Sequence, residues 1–215
     1  MKKLKELFTQ RIFKIFKWAF LILVGLFFIL IIFRTFHYID VQKTNDQVSK
    51  IHLTKLSLDD VMGQNLPAEP GIEADKTVKG IDANNNGIRD DIELAVFKEY
   101  PDSAKTRAVL LQYALTLQME TIQPFVNEEI ATEVITEQGR ADTCLSDTVA
   151  PRKTPESSRD DIDMNKIDKF ISFIEEMQLN TTIRDDAHSN FYKYLRSYGD
   201  STNVVCDIDL SKLPN

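Results

Sequence analysis

Residues 101–123, PDSAKTRAVLLQYALTLQMETIQ, decide the fold class because they predict one long helix with a very wide apolar face. Apolar residues recur along this segment at the three- and four-residue spacing that places them on one side of a helix. Pro101 marks the start, and Asp102 or Ser103 is suited to cap the first turn. A face this broad is typical of a helix inside a helical core. Its members are Ala108, Leu110, Leu111, Ala114, Leu115, Leu117, Met119 and Ile122.

Segments on both sides of this helix extend the helical pattern. Residues 91–100 have a helical composition and are stopped by the proline that follows them. Pro124 kinks the chain or starts a further helix, which we expect to end at Gly139. Residues 145–161 contain two prolines and a serine pair, so they predict a flexible connection.

Two more amphipathic helices and one short extended segment follow. Apolar stripes over residues 167–177 and 183–198 predict the helices, and Gly199 is expected to stop the second one. Residues 202–210, TNVVCDIDL, are the one stretch that looks like a strand. The sequence therefore predicts a mainly α fold, with about five helices in the body of the chain and little or no β structure.

The N-terminal segment WAFLILVGLFFILIIF, residues 18–33, contains no charged residue and lies between Lys17 and Arg34. As a helix it covers about 24 Å, close to the roughly 30 Å hydrocarbon core of a bilayer. A cleaved signal peptide is the competing interpretation, but no small-residue cleavage pattern follows the apolar run. We therefore predict an uncleaved transmembrane signal anchor over residues 18–38, with the lipid bilayer as its partner.

Charge is distributed unevenly about this span. Residues 1–37 hold seven Lys or Arg and one acid, which leaves 19 basic and 32 acidic residues in the rest of the chain. Positive residues before the span predict a cytoplasmic N-terminus, an inner-membrane location and a C-terminal domain in a bacterial periplasm. An acidic domain is a poor binder of nucleic acid, because phosphate contacts require clustered Lys and Arg.

This topology divides the chain into four parts. Residues 1–17 form a short basic cytoplasmic segment, and residues 18–38 form the anchor. Residues 39–79 are polar and weakly patterned at first and then contain Pro and Gly, so they predict a stalk and a loop. Residues 80–215 are expected to form the helical periplasmic domain.

Cys144 and Cys206 are the two cysteines of the chain, and both lie beyond the predicted anchor. In an oxidising compartment such a pair is expected to form a disulfide. The bond would join the C-terminal segment to the middle of the domain. Two buried free thiols are the alternative.

The polar stretch GIDANNNGIRDDIE, residues 80–93, has the composition and spacing of a metal-binding loop. Calcium takes six to eight oxygen ligands, and a twelve-residue loop supplies them from positions 1, 3, 5, 7, 9 and 12. Counted from Asp82, each position carries a side-chain oxygen except position 7, where Ile88 offers its carbonyl. Gly87 falls at position 6, where the chain must turn sharply. The six candidate ligands are Asp82, Asn84, Asn86, Ile88, Asp90 and Glu93.

These residues resemble the loop of the EF-hand family and match its D-x-[DN]-x-[DN]-G-x5-E pattern over residues 82–93. No second loop and no incoming helix accompany them in the sequence. The arrangement is therefore similar to the single calcium loops of exported bacterial proteins and of thrombospondin type 3 repeats. The resemblance covers this loop alone, and it implies one Ca²⁺ ion that stabilises the start of the next helix.

A polar turn before a capped helix is the competing interpretation of this loop. Asp90 as N-cap, with Glu93 three residues later, forms a capping pattern, and an Asn-Asn-Gly turn needs no metal. This accounts for positions 6 to 12, but not for oxygen ligands at positions 1, 3 and 5. We therefore expect calcium rather than magnesium or no ion. Only three of the ligands are carboxylates, so the affinity should be modest.

Little in the sequence predicts catalysis. The chain has three histidines and contains no zinc-protease, serine-nucleophile or phosphate-loop motif. His188 is expected on the surface of a helix. RDD triplets at residues 89–91, 159–161 and 184–186 are expected to place their acids near helix starts, where carboxylates complement the helix dipole. We predict that the protein is not an enzyme.

Three classes of function are compatible with these features. The first is a membrane-anchored interaction protein whose calcium-ordered domain contacts another, unknown, envelope protein. The second is an immunity or inhibitor protein against a periplasmic toxin, which a co-purified effector would identify. The third is a hydrolase with unrecognised carboxylates, which would lose turnover when acids outside residues 82–93 are mutated. We expect the first.

Overall fold

The apolar N-terminal segment belongs to one continuous helix, α1 (Lys2–Leu53), in the computed structural model of the protein. The structure describes residues 2–154, 157–199, 201 and 204–214, with side chains from Phe13 onward. The portion of α1 that follows residue 12 is long and apolar enough to cross a membrane. Helical structure does not stop after the predicted anchor, because no Gly or Pro interrupts residues 39–53.

The chain divides into two compact units, Met1–Asp46 and Gln47–Asn215. In the second unit the helices are α2 (Leu58–Met62), α3 (Asp90–Glu99), α4 (Ala104–Ile122), α5 (Glu128–Val149), α6 (Asp161–Gln178) and α7 (Thr182–Tyr192). Single 3-10 turns occupy Gly71–Asp75 and Leu210–Lys212. The predicted mainly α fold is confirmed, and five of these helices lie beyond residue 80.

Helix α4 is the centre of this unit, as its apolar face predicts. Every residue from Arg107 to Glu120 is buried, and α2, α3, α5, α6 and α7 all pack against it. Ser103 caps its N-terminus by accepting a hydrogen bond from the backbone N–H of Thr106. Each fully buried Leu or Ile side chain in this core contributes roughly 1.5–3 kcal/mol of hydrophobic stabilisation. The helix is buried on all sides, and its polar residues therefore lie against neighbouring elements.

Helix α5 corrects the prediction that Gly139 ends a helix. It runs from Glu128 through Gly139 to Val149, so the connection begins after Val149 and not at residue 145. Leu145 is fully buried against the core and Val149 nearly so. Burial of this face outweighs the roughly 1 kcal/mol by which glycine disfavours a helix.

Helix α7 ends earlier than the sequence predicts. It stops at Tyr192 and not at Gly199. Phe191 is buried, whereas Ile183 and Tyr198 are largely exposed, so the apolar stripe is not a continuous packed face. Because most helical stability comes from packing, the helix ends one residue after its last core side chain.

The predicted strand is wrong for the part of residues 202–210 that the structure describes. Residues 204–209 are irregular, and the described residues contain no strand. Side chains satisfy its backbone instead of a partner strand. Arg140 donates to the carbonyls of Val204 and Val205, and Asp207 donates its N–H to the side chain of Gln112.

Cys144 of α5 and Cys206 lie at disulfide-bonding distance, with their sulfur atoms 2.02 Å apart. The predicted pairing is therefore confirmed. The bond closes a loop between two cysteines that lie 62 residues apart in the sequence. By the chain-entropy estimate such a cross-link contributes roughly 4 kcal/mol to stability.

Candidate metal centre

The loop formed by residues 82–93 lies directly before and at the start of α3, and it packs against α4. Gly87 comes so close to α4 that a Cβ atom on it would lie 2.7 Å from Cδ1 of Leu115. Its φ of 88° also lies in the left-handed region, which glycine adopts without strain. Position 6 of the loop therefore requires glycine for two separate reasons.

Asp82 and Asn86, at positions 1 and 5, hold the loop in a tight curl. The carboxylate of Asp82 accepts the backbone N–H of Asn86 at 3.1 Å and that of Gly87 at 3.2 Å. Asn86 Oδ1 accepts the N–H of Ile88 at 2.9 Å. These bonds hold positions 1, 5, 6 and 7 of the loop close together.

Glu93, at position 12, points into this curl and is fully buried. Its Oε2 atom accepts hydrogen bonds from Nδ2 of Asn84 at 3.0 Å and from Nδ2 of Asn86 at 3.3 Å. Its Oε1 atom is buried and has no hydrogen-bond partner among the described residues. Burial raises the pKa of Glu93 to about 7. Positions 3, 5 and 12 of the predicted loop therefore lie together.

Ile88 and Asp90, at positions 7 and 9, have different surroundings. The Ile88 side chain is fully buried in the core. Asp90 closes the loop: its Oδ1 atom accepts the N–H of Ala83 at 3.0 Å, and its own N–H donates to the carbonyl of Ile81. Burial raises the pKa of Asp90. Asp90 thus binds the two ends of the loop to each other.

The capped-turn interpretation does not describe the start of α3. The N-cap residue is Arg89, whose side chain forms no capping hydrogen bond, and Asp90 is already the first helical residue. Asp90 is therefore not the N-cap, and Glu93 does not complete a capping box with it.

Asp60, in α2, belongs to the same cluster, although sequence reasoning does not find it. Its Oδ1 atom lies 3.4 Å from Nδ2 of Asn86, the nitrogen that also donates to Glu93. The carbonyl of Asn65, just after α2, accepts a hydrogen bond from Asn84. The only local signal is the Ser-x-x-Asp spacing that starts with Ser57, and this predicts a helix start rather than a ligand.

No cation compensates the charge of this cluster among the residues that the structure describes. Asp60, Asp90 and Glu93 are 7%, 1% and 0% exposed, and Asp82 is half-buried. None of the four forms an ion pair with a described Lys, Arg or His side chain. The nearby Arg89 pairs instead with Asp91. Burying an unpaired carboxylate is costly, which is why burial raises the pKa of both Asp90 and Glu93.

The two asparagines separate the carboxylates. Within the described part of the chain, no three Asp, Glu, His or Cys side chains converge closely enough to hold a metal by themselves. The amide nitrogens of Asn84 and Asn86 both donate to Glu93, and that of Asn86 lies between Glu93 and Asp60. A half-turn of a carboxamide group exchanges its nitrogen for its oxygen at nearly the same place. The same side chains would then present oxygen ligands to an ion, and Asn86 would give up the hydrogen bond that its Oδ1 accepts from the N–H of Ile88.

No family model matches this chain, and neither a curated protein nor a solved structure shows significant similarity to it. The function must therefore be argued from the geometry of the chain itself.

A second polar cluster lies between α4, α6 and α7. His188 lies on a helix as predicted, but it is half-buried rather than freely exposed, with Nε2 3.0 Å from Oε2 of the fully buried Glu120. Tyr113 donates to Glu175 at 3.1 Å beside it. These residues line a cavity of about 300 Å³. The imidazole compensates the charge of Glu120, and this cluster, unlike the loop, contains its own counter-charge.

Proposed function

We propose that this protein is a single-pass membrane-anchored protein of the bacterial envelope. Its periplasmic helical domain binds one calcium ion in a structural role and presents a surface to another envelope protein. The observation that carries the proposal is a group of four carboxylates that form no ion pair with a described residue: Asp60, Asp82, Asp90 and Glu93. Within this group, the Oε1 atom of Glu93 is buried and accepts no hydrogen bond from a described residue. A divalent cation in the loop would supply the missing charge and a partner for this oxygen.

The residues of the loop fit such an ion. Asp82, Asn84 and Asn86 would each contribute a side-chain oxygen and Ile88 its carbonyl, which accepts no hydrogen bond from a described residue. Glu93 would contribute both carboxylate oxygens from the first turn of α3. The ion would neutralise buried charge and join the loop to the helix, and it need not take part in any reaction.

Calcium suits this ligand set better than other common cations. All the ligands are hard oxygen atoms in an adaptable loop, whereas zinc and copper favour nitrogen and sulfur. Few of the ligands are charged, and calcium sites of this kind in extracellular modules have Kd values of about 10⁻⁴ to 10⁻³ M. Such an affinity is matched to calcium outside the cytoplasm and to a structural role.

The position in the envelope is supported by three features. Helix α1 contains a segment that is long and apolar enough to cross a membrane. Basic residues precede this segment and the domain after it is acidic, which favours a cytoplasmic N-terminus. The close cysteine pair is suited to an oxidising compartment such as the periplasm.

Calorimetric titration of the full chain in detergent micelles, after chelation, tests the calcium proposal. We expect one Ca²⁺ per chain, and loss of this binding in Glu93→Gln. Glu99→Gln is the matched control, because Glu99 is an exposed residue at the other end of α3. The same binding should raise the melting temperature of the wild type and of the control, but not that of Glu93→Gln. No heat of binding at millimolar calcium would refute the proposal.

The interaction with an envelope protein needs a separate experiment. Affinity capture from envelope extracts should retain the same protein with the wild type in calcium, and less of it in chelator or with Asp82→Ala. Equal capture under all three conditions would show that the calcium loop does not organise the contact surface.

A further inference from the structure

We propose that Asp60, in the short helix α2, is a further ligand of the ion bound by residues 82–93. The ion would then connect three parts of the domain: α2, the loop and the first turn of α3. This inference rests on the proposed calcium site, and it adds a ligand from outside the twelve-residue loop.

The first argument is the position of one nitrogen atom. Nδ2 of Asn86 lies 3.4 Å from Oδ1 of Asp60 and 3.3 Å from Oε2 of Glu93. The carboxylates of α2 and α3 therefore face the same point from two sides. When the amide of Asn86 turns its oxygen inward, that oxygen takes the place of Nδ2, 3.4 Å from Oδ1 of Asp60 and 3.3 Å from Oε2 of Glu93. A cation between these three oxygen atoms is within reach of both carboxylates.

The second argument is that the two carboxylate oxygens of Asp60 have different partners. Oδ2 accepts hydrogen bonds from the backbone N–H of Ser57 at 3.0 Å and from the Ser57 hydroxyl. The Ser57 hydroxyl oxygen in turn accepts the backbone N–H of Asp60, which completes the capping box of α2. This box holds the carboxylate in one orientation. Oδ1 is left to face the loop, where its one hydrogen-bond contact among the described residues is the long one to Asn86.

The third argument is that α2 is held in place by contacts outside the loop. Val61 is fully buried, and its carbonyl accepts a hydrogen bond from Nε of Arg107 in α4 at 3.1 Å. Asp60 is buried beside it, and no described Lys, Arg or His forms an ion pair with it. A fixed, buried carboxylate without a counter-charge is suited to ligate a cation, because little ordering is required when the ion binds.

The extra ligand has a consequence for selectivity. The loop offers six oxygen atoms from Asp82, Asn84, Asn86, Ile88 and Glu93, and Asp60 would make seven. Calcium accepts six to eight ligands, whereas magnesium demands six in near-octahedral geometry and retains several waters. Asp60 therefore favours calcium over magnesium.

Calcium titration of Asp60→Asn in the full chain tests this inference. Asp59→Asn is the control, because it removes the same charge from the adjacent, exposed residue of α2. We expect Asp60→Asn to weaken calcium binding by at least about tenfold, since ligand charge sets affinity, and Asp59→Asn to change it by less than about twofold. Asp60→Asn should also reduce the preference for calcium over magnesium in competition.

Hydrogen exchange of the wild type supplies a measurement that does not depend on the folding of a variant. Calcium should slow exchange in residues 58–66 as well as in residues 82–93, while the 3-10 turn Gly71–Asp75 serves as an internal reference. Slowing confined to residues 82–93, or equal affinities of Asp60→Asn and Asp59→Asn, would overturn the role of Asp60 and leave the loop site intact. Absence of calcium binding by the wild type would overturn both proposals.

Discussion

Arg184 is a fully buried arginine whose guanidinium group connects α7 to the chain that precedes the loop of residues 82–93. It donates to the carbonyl oxygens of Ala74 and Thr77. It also forms an ion pair with Asp75 at 2.7 Å. These acceptors match the planar, five-donor guanidinium group, which is why a charged side chain is tolerated at this depth.

Arg184→Lys should therefore destabilise the domain. Lysine keeps the charge but cannot reach several carbonyl acceptors at once, so buried oxygens lose their partners. We expect a loss of roughly 2–4 kcal/mol in the free energy of unfolding, measured by chemical denaturation. Arg196→Lys, at an exposed position, is the control. Equal stability of the two variants would show that the carbonyl contacts of Arg184 contribute little.

The His188–Glu120 pair predicts a dependence of stability on pH. Glu120 raises the pKa of His188 above its usual value, and Glu175 of α6 and Asp185 of α7 act in the same direction. A histidine whose pKa is higher in the folded state stabilises the fold below its unfolded pKa, about 6.5. This contribution is lost as the pH rises through the folded pKa.

His188→Gln should remove this dependence. The stability difference between wild type and variant should be largest below about pH 6.5 and should shrink as the pH rises above this value. Thermal melts of both proteins across pH 5.5 to 9 provide the measurement. A difference that stays constant across this range would mean that the ion pair does not couple to folding.

Residues with local signals could be predicted, and those with distant partners could not. The spacing of residues 82–93 predicts that positions 3, 5 and 12 lie together, as they do, because spacing within one loop is a local property. The burial of Arg89 and Arg184 is not, because charged residues are usually exposed and their acceptors lie far away in sequence. The place of Asp60 in this cluster could not be predicted for the same reason, since its contact with Asn86 spans 26 residues.

At the scale of elements, helix starts are more predictable than helix ends in this chain. Ser103 caps α4 where the sequence places it, because a cap is decided by one side chain and the next turn. Gly139 was expected to end α5, but the helix continues since its later residues are buried. Packing against α4, which the local sequence does not show, decides where α5 stops.

Two glycine substitutions should have opposite effects on stability. Gly139 lies inside α5 with no atom within 4 Å of the place where a Cβ would stand, so Gly139→Ala should stabilise the domain by about 0.5–1 kcal/mol. Gly87→Ala should destabilise it by roughly 1–2 kcal/mol, because its φ is positive and Leu115 occupies the space. Thermal melts in chelator separate these effects from metal binding. A stabilising Gly87→Ala would contradict the loop conformation.

At the scale of the whole domain, a charge network holds the C-terminal segment in addition to the cysteine pair. Arg140 of α5 bonds to Glu137 at 2.7 Å and to Asp207 at 2.6 Å, and all three side chains are buried. Lys55 reaches Glu137 from the chain that follows α1. The cysteine pair could be predicted because the chain has two cysteines. The charge network could not, because it joins Lys55, Glu137 and Asp207, which lie far apart in the sequence.

Reduction of the disulfide should therefore loosen the C-terminal segment without releasing it completely. The cross-link closes a long loop, so reductant should lower the free energy of unfolding by roughly 2–4 kcal/mol. The buried charge network should keep the reduced domain folded at ambient temperature. A variant with both Cys144→Ser and Cys206→Ser should already have the lower stability and should not respond to reductant. Two free thiols in unfolded, non-reduced wild type would show that the bond does not form, and the C-terminal segment would then be held by the charge network alone.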